Sequence, residues 1–150
     1  GAEVTLTIGA KLPMPLMPVQ SSPLTVTGVV QTISSGQFTL KGGLTPGLRV
    51  FMGPTVVLNT GKIELILLSR HIEPTAQEML TNLGITPSAK KFIAIKSRVH
   101  FRADMGKAAR EIVECAGVGA CTSDYSQLKF HNVRRPIFPL NMELQWNHPA

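Results

Sequence analysis

The stretch KSRVHFRADMGKAAR, residues 96–110, holds the side chains best suited to chemistry in this 150-residue sequence. It contains five basic residues and one histidine, but a single acid, Asp104. Lysine and arginine side chains bind carboxylates and phosphates, and histidine can move a proton or bind a metal ion near neutral pH. The stretch therefore predicts either a site for an anionic group or a solvated helix face, and spacing alone favours the solvated face.

The site interpretation depends on what precedes these residues. The apolar run Phe92–Ile95 predicts a buried strand, and ligands of open α/β sheets bind beyond the carboxyl ends of the strands. Lys96, Ser97 and His100 would lie at that end, and Arg102 would lie in the helix that follows. The first N–H groups of that helix would add further donors for an anion. His100 could then donate or accept a proton, or bind a metal ion.

Other motifs are weaker. Arg135, before Pro136, could clamp a carboxylate, and an exposed contact in an irregular tail is an equal alternative. Thr55 in the MGPT stretch could contact a ligand, although a bend at a strand edge explains that stretch better. The histidines lie far apart without an acid at ligand spacing, and no HExxH or phosphate-binding glycine loop occurs, so we expect no metal or cofactor in this chain.

Composition restricts the class of protein. Apolar residues make up 43% and charged residues 16% of the sequence, which indicates a globular domain. The net charge is +6, and residues 90–110 carry seven basic residues against one acid, which equals the whole excess. A nucleic-acid surface would spread its charge more widely and interleave aromatic residues, so we expect no nucleic acid as partner. Without a membrane-length apolar run or a leader, we expect a cytoplasmic protein with no membrane contact.

The elements that must position these residues change in style along the chain. Alternating apolar residues and turn signals predict several strands within residues 3–68, and Ile63–Leu68, apolar on both faces, predicts a central strand. Thr75 and Glu78 form a capping-box signature before an apolar helical stripe that ends at Gly84. Beyond it we expect the Phe92–Ile95 strand, a helix over 101–112 and a strand over 112–117.

This order predicts an α/β (or α+β) fold. Its β-rich N-terminal half is followed by β-α-β-α-β units, which favour parallel pairing within a mixed sheet. We find no repeat and no long linker, so residues 1–150 are expected to form a single domain. The predicted Ile63–Leu68 and Phe92–Ile95 strands should both be central and buried.

Several blocks of the sequence carry a family resemblance. LTVTGVV, MGPTVVL, LLSRHIEP, LGITPSAKKFIAIKSRVHFRADM and RRPIFPLN resemble, in this order, blocks of the C-terminal region of the microcystinase C (MlrC)-like metallopeptidase family. The resemblance covers nearly all of residues 1–141. Its most specific parts are the Lys-Ser-x-x-His-Phe-Arg block at 96–102 and the Arg-Pro-x-x-Pro-Leu block at 135–140. Asn141 stands where the family pattern usually has aspartate.

The resemblance implies a role within a larger hydrolase. In this family the zinc-binding acids and histidines belong to a separate N-terminal domain, so the chain is expected to be a fragment of the C-terminal region. It would be inactive alone, with zinc bound in that other domain. Its expected partners are the N-terminal metal domain of the same polypeptide and a peptide or amide substrate, with a homo-oligomer as a further possibility.

The resemblance also favours the site interpretation over the solvated face. Lys96, Ser97, Arg102 and Arg135 become candidates for binding substrate, and His100 becomes the candidate catalytic residue. Two other functions stay open from the sequence. The chain could be a purely structural or dimerisation domain, or a stand-alone anion-binding module.

Overall fold

The computed structural model describes residues 1–11, 21–115 and 124–144. The chain divides into two compact units: residues 1–7 and 25–113 form the first, and the described parts of 8–24 and 114–150 belong to the second. Six strands and one short α-helix occur among the described residues, together with several 3-10 turns. They are β1 (Glu3–Ile8), β2 (Leu24–Ser34), β3 (Gln37–Thr39), β4 (Arg49–Phe51), β5 (Thr55–Asn59), β6 (Glu64–Leu68) and α1 (Glu78–Thr81).

The larger sheet has four strands in the order β1-β2-β5-β6, and β5 pairs antiparallel with both of its neighbours. A tight turn joins β5 to β6, where the Asn59 side chain accepts a hydrogen bond from the Gly61 N–H at 2.7 Å. Gly61 has a φ of +89°, a conformation that glycine adopts without steric cost. The turn that the sequence signal Asn59-Thr60-Gly61 predicts before Ile63–Leu68 is therefore present.

The burial of this sheet differs from the prediction. The strand within Ile63–Leu68 forms as β6, but it lies at the end of the described strand order and is half-buried along its length. The central and buried strand is β5, in which Val57 and Leu58 are 1% and 0% exposed. An apolar run indicates that its side chains favour burial. It does not indicate the position of the strand in the sheet, because that depends on which strands pair with it.

The second sheet is the β3–β4 hairpin, and a close backbone approach lies at its base. A Cβ atom on Gly36 would lie 2.1 Å from the Gly53 carbonyl oxygen, so no larger residue fits there. Thr55 is 0% exposed, and its hydroxyl donates to the same Gly53 carbonyl at 2.8 Å. The MGPT stretch is therefore a structural bend, and the Thr55 hydroxyl is directed into the backbone.

The core of the first unit lies where α1 meets the sheets. It contains the buried side chains Met52, Val57, Met79, Leu80, Leu83, Ile85 and Met105. The predicted helix forms over four residues. Its N-cap residue is Gln77 and not Thr75, and the Gln77 side chain makes no capping hydrogen bond, so the predicted capping box does not form. Instead, the distant Asp104 carboxylate accepts the Gln77 N–H at 2.8 Å.

The second half of the chain departs most from the prediction. Phe92–Ile95 is not a strand: Phe92 is 85% exposed and Ile93 is 42% exposed. Of these four residues only Ile95 packs against the core, and the segment pairs with no described strand. An apolar run becomes a buried strand when a neighbouring strand and a covering layer are present, and the described residues supply neither for Phe92 and Ile93.

The helix predicted over 101–112 is also replaced. Two 3-10 turns form, His100–Ala103 and Met105–Ala108, and they meet at Asp104, whose φ of −138° is not helical. Asp104 is 6% exposed and bonds to Gln77 through both its carboxylate and its carbonyl, and this explains the break. Residues 111–115 have no regular structure, and the rest of the predicted 112–117 strand lies outside the described residues.

The structure confirms an α/β-type fold in a largely β form. The parallel pairing expected of the β-α-β units does not occur in the β2–β5, β3–β4 and β5–β6 pairs, which are all antiparallel. In the part of the chain that the structure describes, no helix is both long enough and apolar enough to cross a membrane.

Candidate functional site

Two of the predicted site residues meet at an acid that the sequence did not single out. The Ser97 hydroxyl donates a hydrogen bond to Oε1 of Glu73. Nδ1 of His100 lies 2.9 Å from Oε2 of the same carboxylate. The backbone N–H of Arg98 also hydrogen-bonds to this side chain. The Glu73 carboxylate therefore contacts three hydrogen-bonding groups of residues 97–100.

Local packing explains why Ser97 and His100 face Glu73. Ile95 and Ser97 are half-buried while Lys96 and Arg98 are exposed, which is the alternation of an extended segment. Ile95 packs on the core, and Ser97 therefore points to the same side. The 3-10 turn that begins at His100 then reverses the chain, so that its imidazole returns to the same carboxylate.

Glu73 is fixed from its own side as well. It follows β6 in the segment 71–75, and the neighbouring Ile72 packs against the core. The side chains of this cluster stay accessible, because His100 is 55% and Glu73 is 38% exposed. The cluster is thus a surface site on a packed support.

The charge state of Glu73 follows from its donors. The Ser97 hydroxyl and then the His100 imidazole hold the pKa of the Glu73 carboxyl below its usual range, because both hydrogen bonds favour the ionised form. Positive charge on His100 acts in the same direction. The ionised Glu73 carboxylate thus places a negative charge against residues 97–100, within the most basic part of the sequence.

The remaining cations of the predicted site are exposed. Lys96 lies between Ile95 and Ser97 with its side chain in solvent. The Arg102 guanidinium carbon lies 5.3 Å from the centre of the Phe101 ring, a cation–π distance. The structure thus brings Ser97 and His100 together on one carboxylate and leaves Lys96 beside them in the chain.

Asp104, the single acid of residues 96–110, is not the acid that Ser97 and His100 contact. Its carboxylate is buried and accepts the Gln77 N–H, and Lys107 lies 3.8 Å from its other oxygen. The acid beside Ser97 and His100 is Glu73, which is 24 residues before Ser97. The sequence signal for Glu73 was its place in the resembling block LLSRHIEP, and spacing gave none.

Arg135 belongs to the second unit. Its Nη1 donates to Oδ1 of Asn141 at 3.4 Å, and the Ile137 N–H donates to the same oxygen at 3.2 Å. The peptide bonds before Pro136 and Pro139 are cis. The Asn141 amide thus closes the turn that carries Arg135, at the position where the resembling family usually has aspartate.

Neither metal ligands nor cavities point to another site. Among the described residues, no group of three or more histidine, cysteine, aspartate or glutamate side chains could hold a metal ion. His71 and His131 are exposed, and His148 lies outside the described residues. Two cavities of about 330 and 420 Å³ lie against the β3–β4 hairpin, and no predicted site residue lines either of them.

Comparison with known proteins decides the family. The family model described as MlrC C-terminus matches residues 1–132. The chain belongs to the MlrC C-terminus family. Microcystinase C from Sphingomonas sp is 24% identical over 140 residues, which cover 93% of this chain and 25% of that protein. The chain thus spans about a quarter of the length of this relative, and the predicted resemblance is confirmed.

The extent of the MlrC C-terminus match separates the predicted site residues. Residues 1–132 include the whole Glu73 cluster together with Lys96 and Arg102. Arg135 lies beyond the matched residues. The cluster around Glu73 is therefore the part of the candidate site that lies within the family domain.

Proposed function

We propose that this chain is an accessory C-terminal domain of a larger zinc-dependent peptidase or amidohydrolase that resembles microcystinase C. Support comes from the family match and from the relative, microcystinase C, which is about four times as long as the matched part. In this proposal residues 1–150 act as one domain. Zinc is bound by another part of the polypeptide, in the cytoplasm, and this chain supplies groups that hold the substrate.

The observation that carries the proposal is the convergence of Ser97 and His100 on Glu73 within the basic stretch. A merely solvated cationic face would spread its side chains into solvent without a shared partner. Here one exposed imidazole has a fixed orientation beside Lys96. In this proposal Lys96 and Arg102 bind a carboxylate of the substrate, and His100 contacts the reacting group. Arg135, which belongs to the second unit, is proposed separately as a residue that binds substrate.

The test measures peptide hydrolysis by the natural protein that contains this chain. Lys96→Ala or Arg102→Ala should raise KM by roughly tenfold for a peptide with a free carboxylate, since a charge-assisted hydrogen bond contributes about that factor. The same variants should change KM little for the matching peptide amide. Lys91→Ala is the matched control. The Lys91 ammonium lies 5.6 Å from the Phe92 ring, whereas the donors to Glu73 are Ser97, Arg98 and His100. Equal KM values for wild type and both variants would refute the substrate-holding role.

A second candidate function is a structural or dimerisation domain, and one observation favours it. Phe92 and Val99 are 85% and 54% exposed, the first before and the second within the residues 97–100 that bind Glu73. Large apolar side chains at the surface are typical of contact regions. Phe92→Ser separates the two candidates: an altered molecular mass in solution with unchanged KM would support the structural role.

A further inference from the structure

We propose that Glu73 is a positioning residue that turns Nε2 of His100 toward the substrate, and that Ser97 positions Glu73 instead of touching the substrate. This inference rests on the proposed function, because it specifies how His100 meets the substrate at the same site. The sequence of residues 96–102 alone does not suggest this role, since Glu73 lies in the segment after β6.

The first step is the direction of each hydrogen bond. An ionised carboxylate can accept hydrogen bonds but cannot donate them, and the pKa of Glu73 is lowered by its neighbours. The Ser97 O–H and the His100 Nδ1–H must therefore be the donors. The neutral imidazole then carries its proton on Nδ1 and a lone pair on Nε2.

The second step concerns the nitrogen that stays available. Nδ1 is engaged with Oε2 at 2.9 Å, so Nε2 is the ring nitrogen that Glu73 does not hold. The His100 side chain is 55% exposed, so a ligand can reach the ring. A histidine held by a carboxylate at one nitrogen, with the other nitrogen directed at a ligand, has a fixed tautomer and a fixed ring plane. Nε2 is therefore the atom that meets the substrate.

The third step assigns Ser97. Its hydroxyl carries one proton, which points to Oε1 of Glu73. Oε1 and Oε2 thus have separate donors, and the Arg98 N–H adds a backbone contact that fixes the carboxylate further. Ser97 acts through Glu73, and Glu73 acts through His100.

The fourth step concerns the benefit of this arrangement, which is greater for binding the substrate than for folding stability. Glu73 and His100 are both more than one-third exposed, and exposed ion pairs contribute little to folding. Several donors on one exposed carboxylate restrict the side chains of Glu73, Ser97 and His100 at an entropic cost. The benefit of that restriction is a pre-organised imidazole, which lowers the cost of binding the substrate.

The kinetic test uses the natural protein that contains this chain and a peptide substrate. Glu73→Gln should lower kcat/KM by roughly tenfold, as loss of a residue that orients a functional histidine typically does. The double variant with His100→Ala should be no worse than His100→Ala alone, because Glu73 acts only through the imidazole. Ser97→Ala should show a smaller loss, and Ser97→Thr, which keeps the hydroxyl, should recover activity.

The matched control is Glu64→Gln, which also removes an ion-paired glutamate, here one with a 27% exposed side chain. Glu64 lies 2.6 Å from the Lys90 ammonium and takes no part in the Glu73 cluster. Its variant should keep wild-type kcat/KM. Melting temperatures of all variants show whether any loss of activity reflects unfolding. His100→Gln supplies a further test in which Glu73 itself is unchanged.

His100→Gln and His100→Asn identify the nitrogen that matters. The glutamine amide oxygen can accept a hydrogen bond near the position of Nε2, whereas the shorter asparagine places its amide near that of Nδ1. His100→Gln should retain more activity than His100→Asn if Nε2 meets the substrate. Nitrogen NMR shifts of His100 should show the proton on Nδ1 in wild type and a mixture of tautomers in Glu73→Gln.

The outcomes distinguish this inference from the proposed function. If His100→Ala keeps full activity, the substrate-holding role of the site fails. If His100→Ala loses activity while Glu73→Gln keeps it, or if the two losses add, the positioning role of Glu73 alone is overturned. A proton on Nε2 of wild-type His100 in the neutral form would overturn it as well.

Discussion

Glu73 makes the local structure of the site dependent on pH. Hydrogen bonds from Ser97 and His100 hold its pKa below the usual range, so the folded state binds its proton less readily than the unfolded chain does. For a depressed pKa, the stabilisation is present above the unfolded pKa of roughly 4.3 and is lost as the pH falls through the folded value. The site should therefore loosen in acid.

The matching prediction compares melting temperatures of wild type and Glu73→Gln. Wild type should melt at a higher temperature near neutral pH, and the difference should disappear in acid, because both side chains are then uncharged. The difference should be small, since the carboxylate is exposed. A difference that is constant from neutral to acid pH would show that the ionised form of Glu73 is not what stabilises the cluster.

Residue types gave part of the site, and the structure supplied the rest. Ser97 and His100 could be singled out because they are near one another in a basic stretch. Glu73 lies 27 residues before His100, and no spacing rule connects a residue after β6 with a 3-10 turn. Pairs of this kind depend on tertiary packing, which a single sequence does not display.

At the scale of elements, the front half of the chain could be predicted because its signals are local. Alternating side chains and the Asn59–Gly61 turn specify β5 and β6 through neighbouring residues. The second half could not be predicted in this way. The break at Asp104 depends on Gln77 in another element, and the Phe92–Ile95 segment lacks the neighbour that would make it a strand.

This difference leads to a stability prediction for two apolar positions. Val57 is 1% exposed in the centre of the larger sheet, so Val57→Asp should destabilise the protein by about 3 kcal/mol or more, as an unpaired charge would enter the core. Ile93 is 42% exposed, and Ile93→Asp should change stability by about 0.5 kcal/mol at most. Chemical denaturation measures both values.

A large loss of stability for Ile93→Asp would support the strand that the sequence predicts at Phe92–Ile95. If Ile93→Asp were as damaging as Val57→Asp, the Phe92–Ile95 segment would be buried in the protein. A covering partner in the natural protein would produce the same effect, but only when that partner is present. Denaturation of this chain alone and of the natural protein therefore distinguishes the two explanations.

At the scale of the whole molecule, the charge distribution limits what the chain does. The net charge of +6 equals the excess within residues 90–110, so the basic character is local. A stand-alone anion or nucleic-acid binder would show affinity that falls steeply with salt, through the release of counterions. The proposed accessory domain needs positive charge only where the substrate carboxylate binds, which agrees with a basic excess confined to residues 90–110.

The last prediction concerns the chain in isolation. It should neither hydrolyse peptides nor retain stoichiometric zinc, since the sequence has no complete zinc motif and the described residues contain no cluster of three possible ligands. Metal analysis after dialysis and a peptide assay check this, with the natural protein as the positive control. One tightly held zinc per chain would contradict the proposal that zinc is bound elsewhere in the polypeptide. Activity in the natural protein but not in this chain would support the proposed division of labour, in which another part of the polypeptide binds zinc and this chain holds the substrate.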